Sequence, residues 1–120
     1  MEYVIIALKC IVGLSILNVW LVRGKKSTEW RGGNAGNIRE EFKAYGLPVW
    51  FMYTIGALKV ALAVLLLASI IYPGTELIAA YGIAILMLGA VSMHIKIGDP
   101  LKKSLPAFTF LVLSVAIALL

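Results

Sequence analysis

The sequence predicts an all-α protein: a transmembrane four-helix bundle with both termini external and a short interfacial helix in the first cytoplasmic loop. Three observations predict it. Of 120 residues, 62% are hydrophobic and only 14% charged, and the mean hydropathy of +0.97 lies well above the soluble globular range. Four long apolar stretches run through the chain, Tyr3 to Val22, Val49 to Tyr72, Leu77 to about Ile97, and Leu105 to Leu120. The basic residues gather in two of the three connections between these stretches.

Length decides what each stretch can do. A hydrocarbon core of ~30 Å needs about 20 helical residues at ~1.5 Å each, so the first three stretches span it and the fourth is just long enough. The expected helices are residues 3–22, 48–72, 76–97 and 105–120, in one domain covering residues 1–120. The first is expected to remain attached rather than act as a cleaved signal. Glu2 precedes it, Arg23, Lys25 and Lys26 follow it, and no small-x-small site closes it.

Arg23, Lys25, Lys26, Arg31, Arg39 and Lys43 lie in the first connection, and Lys96, Lys102 and Lys103 in the third. The second connection, Pro73 to Glu76, has no basic residue. The positive-inside rule then places loops 23–47 and 98–104 in the cytoplasm, as expected for a multi-pass protein of a bacterial cytoplasmic (inner) membrane. A net charge of +5 is accounted for by this topology signal and by anionic headgroups, with no nucleic acid partner required.

Within the first connection, Asn37 and Glu40 have capping-box spacing, Gly46 suits a helix C-terminus, and Pro48 suits the start of the next helix. Ile38, Phe42 and Tyr45 share a face, which predicts an interfacial helix over 38–45. RGGNAGN, just upstream, is a glycine-rich connection. Asp99-Pro100 predicts a turn, and Ser104 with Pro106 predicts a cap and first-turn proline for the last helix.

Several chemistries are disfavoured. Cys10 is the only cysteine, so no CxxC pair is available for thiol exchange, and it reads as a packing residue. His94 is the only histidine, which argues against paired-histidine haem ligation and a histidine-based metal site. No carboxylate lies within the four apolar stretches, so the acidic residue of small proton-coupled exporters is missing. No metal and no intrinsic cofactor is expected, and the chain has no complete catalytic constellation.

The informative residue is Lys59, about 15 Å along the axis from Val49 and ~20 Å from Tyr72 at 1.5 Å per residue. An ammonium near the midplane costs at least ~2.5 to 3.5 kcal/mol on insertion scales unless protein or water compensates. Met52, Gly56, Lys59 and Ala63 follow i, i+4, i+7 and i+11 spacing, so small residues flank the lysine on its own stripe. That predicts an inward-facing lysine whose partners are Ser15, Asn18, backbone carbonyls, water or a ligand. Two readings follow: a structural lysine hydrogen-bonded between helices, or one that touches a ligand.

Asn18, Tyr53, Thr54, Ser92 and His94 have matching depths near the inner ends of their helices. They form either a polar pocket opening toward the cytoplasm or a belt bonded to headgroups and to one another. As a pocket, the set is Lys59, Asn18, Tyr53, Thr54, Ser92 and His94 for ligand contact, with Met52, Gly56, Ala63 and Ser15 as lining. Lys9 is expected to reach outward to Glu2 or Glu76 as a structural residue. Trp20, Trp30, Trp50, Tyr3, Tyr45 and Tyr72 read as interfacial anchors. Ala57 with Ala61, and Ala80 with Ala84, form small-residue faces that predict a homodimer.

The ordered set YGLPVW, GALKVALAVLLL, GAVSMH and GDPLKKSLPA resembles the DoxX-like family of small four-helix membrane proteins, in register from about Phe42 to Pro106. In the lysine-bearing branch of that family a lysine stands where other members carry a glutamate, and Lys59 falls there. The resemblance implies a four-helix bundle with both termini on one side. Members serve unlike ends, among them a subunit associated with thiosulfate-to-quinone oxidation and animal proteins that assist receptor assembly. Three functions remain. One is an accessory or binding subunit that holds a quinone-like or lipid-like molecule. The second is an assembly factor that docks a membrane protein client. The third is an enzyme with Lys59 as its amine nucleophile or base, which nothing else in the chain supports.

Overall fold

The computed structural model describes residues 2–22, 32–33 and 35–120, and it is helical throughout its regular structure. The expectations for Arg23, Lys25, Lys26, Trp30 and Arg31 lie outside these residues. The elements are α1 (Glu2–Leu17), continued by a π-helical turn over Asn18–Val22, then α2 (Ile38–Ala44), α3 (Val49–Ala68), α4 (Glu76–Lys96) and α5 (Leu101–Leu119). Among the described residues four helical segments are long and apolar enough to cross a membrane: Glu2–Val22, Val49–Ala68, Pro73–Lys96 and Leu101–Leu119. The molecule is 40 Å along its longest axis, the thickness of a bilayer with its headgroup layers. Large apolar side chains such as Leu21, Ile71, Ile78, Ile85 and Ile95 are exposed on its flanks, as lipid contact requires.

Between the helices, small residues let the backbones approach. Gly13 abuts Leu67 and Gly82 abuts Leu62, each so closely that a Cβ would fall within 3 Å of the leucine side chain. Val12, Ile16, Ala63, Leu66, Ala79, Ala80, Ile83, Met87 and Ile117 form the main core. Ala80 and Ala84 are buried within the protomer, so they are spent on its own packing and offer no face for self-association. Ala57 and Ala61 are exposed.

At one end of the bundle α3 meets α4. The Lys9 ammonium lies 3.0 Å from Glu76 Oε1 and donates to the Ser69 carbonyl at 3.4 Å. A cation thus meets the C-terminus of α3 while a carboxylate sits in the first turn of α4, both complementary to the helix dipoles. Lys9 therefore has the structural role expected of it, with Glu76 as its partner.

At the other end, called here the loop end, α2 packs across the bundle. Asn37 caps it by accepting the Glu40 N–H at 2.8 Å, whereas the Glu40 carboxylate turns back to the Gly36 N–H. Gly46, at φ +78°, closes the helix in a Schellman turn: Leu47 N–H donates to the Phe42 carbonyl and Gly46 N–H to that of Lys43. The apolar face of α2 turns into the bundle. Ile38 and Phe42 join Met52 in a second core, with Trp20, Leu47, Phe51 and Ile55 packed around it.

The last helix starts earlier than its sequence signals suggest. It begins at Leu101, after Pro100, so Pro106 lies inside the helix rather than in its first turn. Pro106, which has no N–H to donate within the helix, lines the cavity described next.

Candidate ligand site

The loop end holds a half-open cavity of about 780 Å³. All five helices and the π turn contribute to its walls. Most of the lining is apolar, including Trp20, Phe42, Phe51, Ile55, Met87 and Phe110, and the polar groups on it are Asn18, Glu41, Tyr45, Lys59, His94 and Lys103.

Lys59 projects into this space from the middle of α3. Its ammonium stands 5.4 Å from the centroid of Trp20, a cation–π contact that offsets part of the cost of removing the charge from water. Trp20 reaches that position because the end of α1 widens into a π turn, which swings a side chain off the regular helical register. It then needs room on α3. Gly56 supplies it: a Cβ there would lie 2.6 Å from the indole ring. The far edge of Trp20 meets Phe42 in a T-shaped pair at 6.1 Å. Trp20 and Tyr45, read from sequence as interfacial anchors, are thus wall residues, and Tyr45 is buried.

A carboxylate also reaches the cavity, from outside the spans. Glu41 lines it from α2, held by the Gly32 N–H at 2.8 Å.

His94 lines the cavity from α4, and local backbone geometry explains its partner. Gly98, at φ +73°, ends α4 in a second Schellman turn, with Asp99 N–H donating to the His94 carbonyl at 3.0 Å and Gly98 N–H to that of Ile95 at 3.1 Å. That turn folds the residue after the glycine back over the residue four places before it. The usual apolar contact at this point is replaced by a polar one, Asp99 Oδ2 to His94 Nδ1 at 2.7 Å. Burial of the Asp99 carboxyl opposes its ionisation. The His94 hydrogen bond, the Gly33 N–H and the charge of Lys103 outweigh that and hold it below the usual carboxylate range.

The same aspartate pins the connection that leads into α2. Gly33 N–H donates to Asp99 Oδ1 at 3.0 Å, and the Lys103 ammonium donates to the Gly33 carbonyl. Lys96 donates to the Tyr45 carbonyl at 3.0 Å, and the Tyr45 hydroxyl lies 3.5 Å from His94 Nε2. Two connections remote in sequence thus close one end of the cavity together.

Of the residues singled out from sequence, Lys59, Asn18 and His94 line this cavity. Tyr53, Thr54 and Ser92 do not. Tyr53 is exposed and its hydroxyl accepts from Arg39 at 3.0 Å, while Thr54 and Ser92 donate to the carbonyls of Trp50 and Leu88 one turn back on exposed faces. Similar depth had grouped them with the pocket, but their helical faces turn them away from it. Met52 and Ala63 are buried in the two cores, and Gly56 serves as the seat for Trp20. Ser15 is half-buried on α1 and is not part of the lining. Sequence reasoning missed Trp20, Glu41, Tyr45, Asp99 and Lys103. The spacing of His94, Gly98 and Asp99 was the signal that could have found the aspartate.

Comparison with known proteins gives a family and no individual relative. The model of the DoxX-like family matches residues 33–117. A search of curated proteins and a search of solved structures returned no match. The matched region includes Gly33, α2 to α4, the His94–Asp99 turn and most of α5, so this four-span membrane protein belongs to the DoxX-like family.

Proposed function

We propose that the protein is a non-catalytic accessory or binding subunit that holds a quinone-like or lipid-like molecule in the cavity around Lys59. The observation that carries this reading is the position of Lys59 itself, inside a largely apolar cavity of about 780 Å³. That volume is within the range of small-molecule sites, ~300 to 1,000 Å³, whose walls are mostly apolar with a few converging polar groups. Lys59 and His94 can address the polar head of an amphiphile, while Ile16, Ile55 and Leu86 can accompany its chain. The bound molecule would enter from the bilayer, and the loop end, with Arg39, Lys43, Lys96, Lys102 and Lys103, would face the cytoplasm of a bacterial inner membrane.

The assembly-factor reading requires Lys59 to pair with an acidic residue of a client. Its inward direction over Trp20 supports ligand binding instead. Ala57 and Ala61 remain an exposed small-residue strip on which a client or a second copy could pack.

Native mass spectrometry of the protein released from membranes, together with titration by a decyl-substituted benzoquinone, tests the proposal. A bound small molecule, saturable quenching of tryptophan fluorescence and loss of both in Lys59→Met are expected. An empty protein that neither quinone nor phospholipid titrates would overturn it.

A further inference from the structure

The cavity's chemistry can be taken one step further, resting on its reading as a ligand site. We propose that His94 is its specificity-determining residue, with Nε2 accepting a hydrogen bond from a phenolic hydroxyl on the ligand's headgroup, and that Asp99 is the positioning residue that makes this acceptor available.

The tautomer follows from the neighbours. Asp99 Oδ2 is 2.7 Å from His94 Nδ1, and the carboxylate also accepts from the Gly33 backbone N–H at 3.0 and 3.3 Å. An ionised carboxylate can only accept, so Nδ1 carries the proton. In the neutral ring Nε2 then presents a lone pair. His94 is 5% exposed and lines the cavity, so that lone pair is held away from water on the cavity wall. The contact found there, the Tyr45 hydroxyl at 3.5 Å, is at the long limit for O–H···N and can yield to a closer donor.

Lys59 contributes the complementary polarity. Its ammonium donates and never accepts, so a head placed between the two residues needs a hydroxyl toward His94 and an oxygen acceptor toward Lys59. The shape of the head follows from the walls. Trp20, Phe42, Phe51 and Phe110 line the space, and aromatic faces and edges of this kind favour a flat ring over a flexible glycerol. A hydroxy-substituted aromatic ring on an apolar tail meets all three demands.

Binding to the full-length protein in nanodiscs, under anaerobic conditions, tests this with three probes of equal chain length: an alkyl hydroquinone, its dimethyl ether, and a monoacylglycerol. The hydroquinone is expected to bind about tenfold more tightly than the ether, the equivalent of one hydrogen bond to a well-oriented partner. Asp99→Asn and His94→Phe are expected to bring that ratio close to one, and His94→Phe keeps a ring against Tyr45. Lys59→Met is expected to weaken all the probes together. Equal binding of hydroquinone and ether to the unmodified protein would overturn the role of His94 while leaving the ligand site standing, and this comparison needs no variant to fold. Binding of the monoacylglycerol as tight as that of the hydroquinone would overturn the phenolic class. Failure of every probe to bind would overturn both this inference and the site on which it rests.

Discussion

The Lys59 ammonium and the Trp20 indole stand 5.4 Å apart, and that relationship exists only because Gly56, one turn before Lys59, has no side chain. The indole edge occupies the place where a Cβ would be. Gly56→Val is therefore expected to expel Trp20, costing about 1 to 3 kcal/mol as an overpacking substitution. Thermal unfolding in detergent measures the loss. A shift in Trp20 emission toward a wetter environment, read in a variant lacking the other two tryptophans, would report the displaced ring.

The Lys9–Glu76 pair should respond asymmetrically. The Lys9 side chain is 6% exposed and that of Glu76 27%, so removing the carboxylate strands the more deeply buried charge. Glu76→Gln is expected to destabilise by about 3 kcal/mol, the lower end of the range for breaking a buried pair. Lys9→Met leaves a carboxylate near the bundle end that can find water, and its cost should be clearly smaller. Equal losses in chemical denaturation of the two variants would contradict this ordering.

Asp99 gives the loop end a pH dependence of definite sign. Its folded-state pKa lies below the unfolded value, so its contribution is complete above the unfolded carboxylate value of ~3.9 and is lost as pH falls through the folded one. Protonation removes the acceptor that holds Gly33 and orients His94. Hydrogen exchange at the Gly33 amide should accelerate as pH is lowered through this range, after correction for intrinsic exchange. In Asp99→Asn the protection should be weaker and flat over the same range.

Ser114 is the counterexample to conserving every polar group. Its hydroxyl is buried without a hydrogen-bond partner among the described residues, so it carries a desolvation cost with no return in bonding. Ser114→Ala is expected to be neutral or stabilising by up to about 1 kcal/mol in thermal melts. A marked loss of stability would show that the hydroxyl has a partner in the membrane.

What the sequence disclosed and what it hid divide along one physical line. Apolar length and charge placement are properties of single segments, and they located the four spans and the amphipathic α2. The direction of Lys59 was readable for the same reason, since Gly56 and Ala63 share its stripe. Which faces converge is a property of pairs of segments. Tyr53, Thr54 and Ser92 have a suitable depth but the wrong azimuth, and depth was all that counting from helix ends could supply. Trp20 was hidden by the π turn, which breaks the 3.6-residue register on which face assignment depends. Glu41 was hidden because a carboxylate outside the spans was not expected to reach a cavity between them. The start of α5 at Leu101 overrode the Ser104–Pro106 signal because Pro100 already provides a helix-entry proline three residues before Lys103, which bonds Gly33.

The family match begins at Gly33, after α1, yet Ile16, Asn18, Val19 and Trp20 supply one side of the cavity. The recognisable core is thus a trough open along one flank, and the leading helix is the panel that shuts it. On the ligand-site proposal, exchanging the first 22 residues would alter that wall while leaving the His94–Asp99 turn in place.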